Sequence, residues 1–138
     1  MSLQFGWNEI RNFLITLGVF LVLDIIWLAF ISRALYSKHL SYLMAPKVNF
    51  AAAGIFYIIF VLGMMYFVIN PALANNDWMA ALLPGLFFGL IAYSTYDLTN
   101  LATIRDWPLI ITVVDLIWGS FLGGATCTIS YFIIKAVS

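Results

Sequence analysis

Four apolar runs, at residues 10–31, 49–69, 79–103 and 108–134, constrain this chain more than any other feature. Each has the ~20 residues that an α-helix needs to cross a hydrocarbon layer. In lipid a spanning segment has to satisfy its own backbone N–H and C=O groups. Runs of this length joined by short connections therefore predict an all-α fold, an up-and-down bundle of four transmembrane helices forming a single domain over 1–138. With 64% hydrophobic and 9% charged residues, the composition is that of an integral membrane protein. The first run is a full span without a small-residue cleavage site, which predicts a retained helix rather than a signal peptide. Pro46 and Asn49 precede the second run, and Asn70-Pro71 is expected to end it. Asn75-Asn76-Asp77 offers an N-cap for the third, and Asp106-Trp107-Pro108 opens the fourth.

The connection at 32–48 interleaves Arg33, Lys38, His39 and Lys47 with Leu35, Tyr36, Leu40, Leu43 and Met44, the pattern of an amphipathic segment at the interface. Arg105 adds to the positive charge on that side, whereas Arg11 and Lys135 lie on the other. By the positive-inside rule the loops between helices 1 and 2 and helices 3 and 4 are cytoplasmic. Trp7, Trp78 and Trp107 flank spans as interfacial anchors. Gly85-x-x-x-Gly89 and Gly119-x-x-x-Gly123 allow close helix approach, either inside the bundle or across a homodimer.

Against this apolar background stand Asp24, Asp97 and Asp115, with no Lys or Arg deep in the spans. A charge at a helix centre costs about 3 kcal/mol on insertion scales, so an intramembrane carboxyl marks a functional site by default. Alternating helix direction fixes relative depth. Asp24 lies seven residues before the end of helix 1 and Asp115 six after the start of helix 4, both roughly 9 to 11 Å below the same surface. Tyr57 and Tyr93 reach that layer, and Asp97 lies nearer the surface. Tyr93, Tyr96, Asp97, Asn100 and Thr103 make one polar stripe on helix 3. Thr112, Asp115, Gly119, Thr126 and Ser130 share a face of helix 4, and Thr16, Asp24 and Trp27 a face of helix 1. The expectation is a polar pocket opening toward the first loop, with Asp24, Trp27, Tyr57, Tyr93, Tyr96, Asp97, Asn100, Asp115 and Trp118 around a ligand. Arg33, Lys38, Lys47 and Arg105 stand at its mouth as contacts for a phosphate or carboxylate head group.

Segments 20–31 and 111–122 align without gaps and share the Asp-Ile/Leu-Ile-Trp core at Asp24 and Asp115. Neither a hairpin duplication nor an inverted pair accounts for the match, which reads as convergence. It raises a structural alternative in which Asp24 accepts the indole N–H of Trp118 while Asp115 accepts that of Trp27.

Zero net charge excludes a nucleic-acid-binding face. One cysteine, Cys127, and one histidine, His39, leave no internal disulfide, metal set or cofactor motif. Three functions remain open. A binding or transport module would hold a proton, cation or amine on the aspartates, with the aromatic faces adding cation–π contact. An enzyme acting on a lipid or isoprenoid would use Asp24, Asp97 and Asp115 as catalytic acid and base. An accessory subunit would pack on a larger membrane partner.

Tyr96-Asp97-Leu98-Thr99-Asn100-Leu101-Ala102-Thr103, Trp107-Pro108 and Val114-Asp115-Leu116-Ile117-Trp118-Gly119 resemble a bacterial family of four-helix membrane proteins known as a domain of unknown function. The likeness extends to Leu23-Asp24-x-x-Trp27-Leu28, Phe56-Tyr57, Gly63, Pro71-Ala72-Leu73 and Ala92-Tyr93, essentially the whole chain. It implies a multi-pass protein of the bacterial inner membrane and supplies no activity.

Overall fold

The computed structural model describes residues 6–44 and 49–138. Four helices are long and apolar enough to cross a membrane: α1 (Trp7–Ile31), α3 (Phe50–Asn75), α4 (Met79–Thr103) and α5 (Leu109–Val137). A shorter helix, α2 (Arg33–Leu40), follows α1 through a wide π-turn at Leu28–Ser32. Among the described residues there is no strand.

Local chemistry sets the boundaries. Asn49 caps α3 by accepting the Ala52 N–H at 3.1 Å, and Asp77 accepts the Met79 N–H at 3.0 Å as α4 begins. Asn76, in the left-handed conformation with φ 54°, ends α3 as C-terminal residues of helices often do. The Asn70-Pro71 pair, expected to stop this helix, lies inside it. A second π-turn at Met65–Ile69 carries the Asn70 N–H to the carbonyl of Met65, five residues back. That widened turn accommodates a proline ring and its missing donor, and the chain stays helical to Asn75.

Loops and termini identify the two ends of the bundle. Tyr42 Oη donates to the Asp106 carbonyl at 3.1 Å, joining the loop after α2 to that between α4 and α5. At the other end Arg11 Nη1 donates to the Val137 carbonyl at 3.3 Å, and Nη2 to Ser138 Oγ at 3.0 Å.

The tightest packing is between α4 and α5, where the two glycine pairs face each other. A methyl group on Gly85 would come within 2.8 Å of the Gly123 carbonyl oxygen, and one on Gly89 would overlap the Gly119 carbonyl. Ser120 Oγ donates across this seam to the Leu86 carbonyl at 3.0 Å. In lipid, helices gain little from hiding apolar surface, so close backbone approach and interhelical hydrogen bonds carry association. The glycines are thus used within one chain. Phe20, Val61, Met64, Val68, Ile69, Leu122 and Ile134 fill the interior toward the termini, while Phe30 and Phe50 are about four-fifths exposed on the outside, where lipid would cover them.

Trp7 and Trp78 are exposed as anchors should be, but Trp107 is only 7% exposed. Its indole N–H donates to Thr112 Oγ1 at 3.0 Å, and Leu40 and Ile111 pack around it, with the edge of Tyr96 5.9 Å away. A buried indole needs an acceptor, and Thr112 supplies it. Trp107 is a roof residue under α2 and not an interfacial anchor.

Overpacking a dry seam costs about 1 to 3 kcal/mol. Gly89→Ala is therefore expected to lower the thermal midpoint in detergent clearly. Gly54→Ala, where a methyl group meets nothing within 4 Å, should leave it unchanged or raise it slightly, since alanine is the better helix former. Equal effects at the two positions would contradict the seam.

Candidate functional site

The buried face of α1 is built from Asn12, Thr16, Phe20, Asp24 and Trp27, which recur at three- and four-residue steps. This spacing turns Asp24 inward, where Tyr57 Oη on α3 donates to its Oδ2 at 3.0 Å. The Tyr57 ring meets Phe20 edge-on at 5.2 Å, which sets the phenol's direction.

Asp115, 1% exposed on the first turns of α5, accepts a short hydrogen bond from Tyr36 Oη. Helical side chains lean toward the N-terminus of their own helix. Tyr36 therefore points down from α2 into the bundle, and Asp115 points up toward the same surface, so the two meet. Burial first, and the contact with Asp115 second, push the Tyr36 phenol well above its ordinary range, and it remains a neutral donor.

Asp97 is the least accommodated of the three. It is fully buried, and neither carboxyl oxygen receives a hydrogen bond from an N–H or hydroxyl group. Its polar neighbour is the Asp115 carboxyl, since Asp97 and Asp115 each stand one turn beyond the contact of Tyr93 with Gly119. Tyr93 packs against Gly119, where any side chain would collide with its ring. It is within electrostatic range of Asp24, Asp97, Asp115 and Tyr57. Five residues of the expected set thus form one cluster: Asp24 with Tyr57, Asp97 with Asp115, and Tyr93 in range of both pairs.

The tryptophans do something other than the reciprocal lock. Trp27 and Trp118 stack face to face, with centroids 4.5 Å apart and planes 5° from parallel. Trp118 Nε1 is buried without an acceptor, and the aspartates take their hydrogen bonds from tyrosines instead.

Tyr96 is 57% exposed and packs on Trp107 at the rim of the cluster, within electrostatic range of Asp97 and Asp115, and Asn100 is half-buried one turn further on. Arg33, Lys38 and Arg105 are exposed at the loop end. Lys47, like Pro46 and Val48, lies outside the described residues. The mouth expected toward the first loop is filled by Tyr36 and Leu40 of α2. A shallow apolar groove of about 430 Å³ lies on the outer side of α4 and α5, lined by Leu86, Leu90, Leu116, Ile117, Ser120 and Phe121.

Residues 10–132 match the model of a family described as predicted membrane protein, DUF2177. The chain belongs to this family. The matched stretch contains all three aspartates, the three tyrosines around them and both stacked tryptophans, so the DUF2177 region and the polar cluster coincide. No curated protein and no solved structure matches the chain.

Sequence reasoning placed Tyr36 in the amphipathic interface segment and missed its part in the cluster. The available signal was phase: Tyr36 and Leu40, four residues apart, share a face opposite that of Lys38. Removing a donor from a buried acceptor costs about 1 to 3 kcal/mol. Tyr36→Phe and Tyr57→Phe should each lower stability in detergent by that order, whereas Tyr66→Phe, on an exposed ring, should change it by less than about 0.5 kcal/mol. The idea of a donor to Asp115 fails if Tyr36→Phe behaves like Tyr66→Phe.

Proposed function

We propose that this protein binds and exchanges a proton inside the membrane at the Asp97 and Asp115 carboxyls, with Asp24 and Tyr57 as a second station. The observation that carries this reading is Asp97, fully buried, with no donor to either oxygen and another carboxyl as its polar neighbour. Two carboxylates in contact without a cation repel strongly in a medium of low dielectric constant. A single proton held between them turns that repulsion into a hydrogen bond and halves the charge. The groups around the pair are consistent with this role, because Tyr36, Tyr93 and Tyr57 carry hydroxyls and the remaining acid of the cluster, Asp24, takes its hydrogen bond from Tyr57.

Among the ligands that three aspartates suggest, the proton needs no cavity. An amine or metal cation would have to open the contact between α4 and α5. Acid and base catalysis on a lipid would need the two carboxyls on opposite sides of a substrate, whereas here they adjoin. The exposed Arg33, Lys38 and Arg105 suit contact with lipid phosphates at the bilayer surface. Their side is the cytoplasmic one by charge bias, in a bacterial inner membrane.

Infrared difference spectroscopy of the protein in nanodiscs tests the site. A carbonyl stretch of protonated carboxyl should appear and disappear reversibly with pH, and Asp97→Asn and Asp115→Asn should each remove it. Once the shared proton leaves, two negative charges adjoin, so the thermal midpoint should fall as pH is raised through that transition. In Asp97→Asn, which keeps the shape and deletes one charge, this fall should flatten. A spectrum without any titrating carboxyl, or one unaltered in both variants, would refute the proton site.

A further inference from the structure

The carboxyl cluster occupies the loop half of the bundle, and a second set of buried polar side chains occupies the half nearer the termini. α1 and α5 run antiparallel, and their register is pinned at two levels. Arg11 bonds Val137 and Ser138 at one end, and Trp27 stacks on Trp118 toward the other. Counting inward from these pins sets Thr16 at the level of Ser130 and Phe20 at that of Thr126, because both helices rise by the same ~1.5 Å per residue. Asn12 and Thr16 lie on the buried face of α1, and Thr126 and Ser130 on the stripe of α5 that also carries Asp115.

The hydroxyls on this stripe are unusual within the protein. Thr16, Thr95, Thr99 and Thr103 return theirs to a carbonyl four residues back, which silences a hydroxyl in lipid. Thr126 and Ser130 are both fully buried, and neither oxygen has a partner in the protein. Thr128 is also without one but projects from a different side of α5. Two unpaired hydroxyls at adjoining turns of α5, with Thr16 of α1 at the level of Ser130 and Asn12 one turn nearer the termini, offer donors and acceptors to a small polar ligand, and water is the smallest that satisfies them. Phe20, level with Thr126, stands one turn before Asp24 on α1, and Leu122, level with Asp24, stands one turn beyond Thr126 on α5; each is at most 1% exposed.

We propose that Asn12, Thr16, Thr126 and Ser130 line a water-binding site in the terminal half of the bilayer, separated from Asp24 by a plug of Phe20 and Leu122. The carboxyl cluster then exchanges protons with both faces of the membrane. This deepens the proton reading above and rests on it. On the loop side the exit is Tyr36, which bridges Asp115 to the surface helix. On the terminal side Arg11 is held at the mouth by Asn12 Oδ1 at 3.1 Å and by the end of α5, leaving the hydroxyls beneath it. Each transfer breaks one O–H bond and forms another between water, hydroxyl and carboxyl, so no co-reactant is needed.

The test is proton flux in liposomes carrying a trapped pH dye, driven by a potassium diffusion potential. Wild-type protein should dissipate an imposed gradient several-fold faster than empty vesicles. Thr126→Val with Ser130→Ala should bring the rate close to that of empty vesicles, while the hydroxyl-preserving Thr126→Ser with Ser130→Thr retains it. Phe20→Ala should raise the rate above wild type by thinning the plug. The conduit is overturned if wild-type flux equals that of empty vesicles while the infrared carboxyl signal still titrates, which would leave the proton site standing alone. It is equally overturned if the valine and alanine variant conducts like wild type, or if the hydroxyl-preserving pair is as inactive as the apolar one.

Discussion

Contact between the backbones of α4 and α5 is the constraint on which the remainder of the structure depends. Gly85 and Gly89 against Gly119 and Gly123 leave no space for even a methyl group. Lipid rewards such packing because apolar side chains alone give helices no reason to leave the hydrocarbon for one another. The seam has a chemical consequence one and two turns further along. It packs the Tyr93 ring against Gly119 and brings Asp97 beside Asp115, two groups that would separate if the helices stood a normal distance apart.

The carboxyls are then surrounded by phenols. Tyr57 donates to Asp24 and Tyr36 to Asp115, and among the described residues no lysine or arginine enters the cluster. A cation would have neutralised the site permanently, while a phenol solvates a carboxyl and leaves its charge to be set by protons. Asp97 receives no such donor, which makes the pair the least stable arrangement in the bundle unless a proton is present. The stacked indoles of Trp27 and Trp118 set the register between α1 and α5 and so place Asp24 relative to the pair.

Much of this was legible beforehand, for identifiable reasons. Length and hydropathy are additive along a chain, so the four spans could be read directly; the common depth expected for Asp24 and Asp115 does not follow from the Trp27–Trp118 register, which sets Asp115 about two turns nearer the loop end than Asp24. Asn49 and Asp77 act as caps because their chemistry is local. Three readings failed where a distant partner decided. Trp107 flanks a span, yet Thr112 and α2 bury it. Pro71 looks like a stop, yet the π-turn before it absorbs the missing donor. The two Asp-Ile/Leu-Ile-Trp segments looked suited to reciprocal hydrogen bonds, but the indoles meet by their faces and the tyrosines take the aspartates.

By itself the sequence determined that this chain is a four-helix membrane bundle with three inward aspartates, because insertion cost and helical periodicity act on each segment separately. Tertiary structure alone decided which of those aspartates adjoin, that Tyr36 descends from the surface helix onto Asp115, and that Thr126 and Ser130 are left without partners. The reason is rotational. A few tens of degrees of helix phase, or one ångström of approach, separates two adjoining carboxyls from two isolated acids, and neither quantity is written in the composition of a single span.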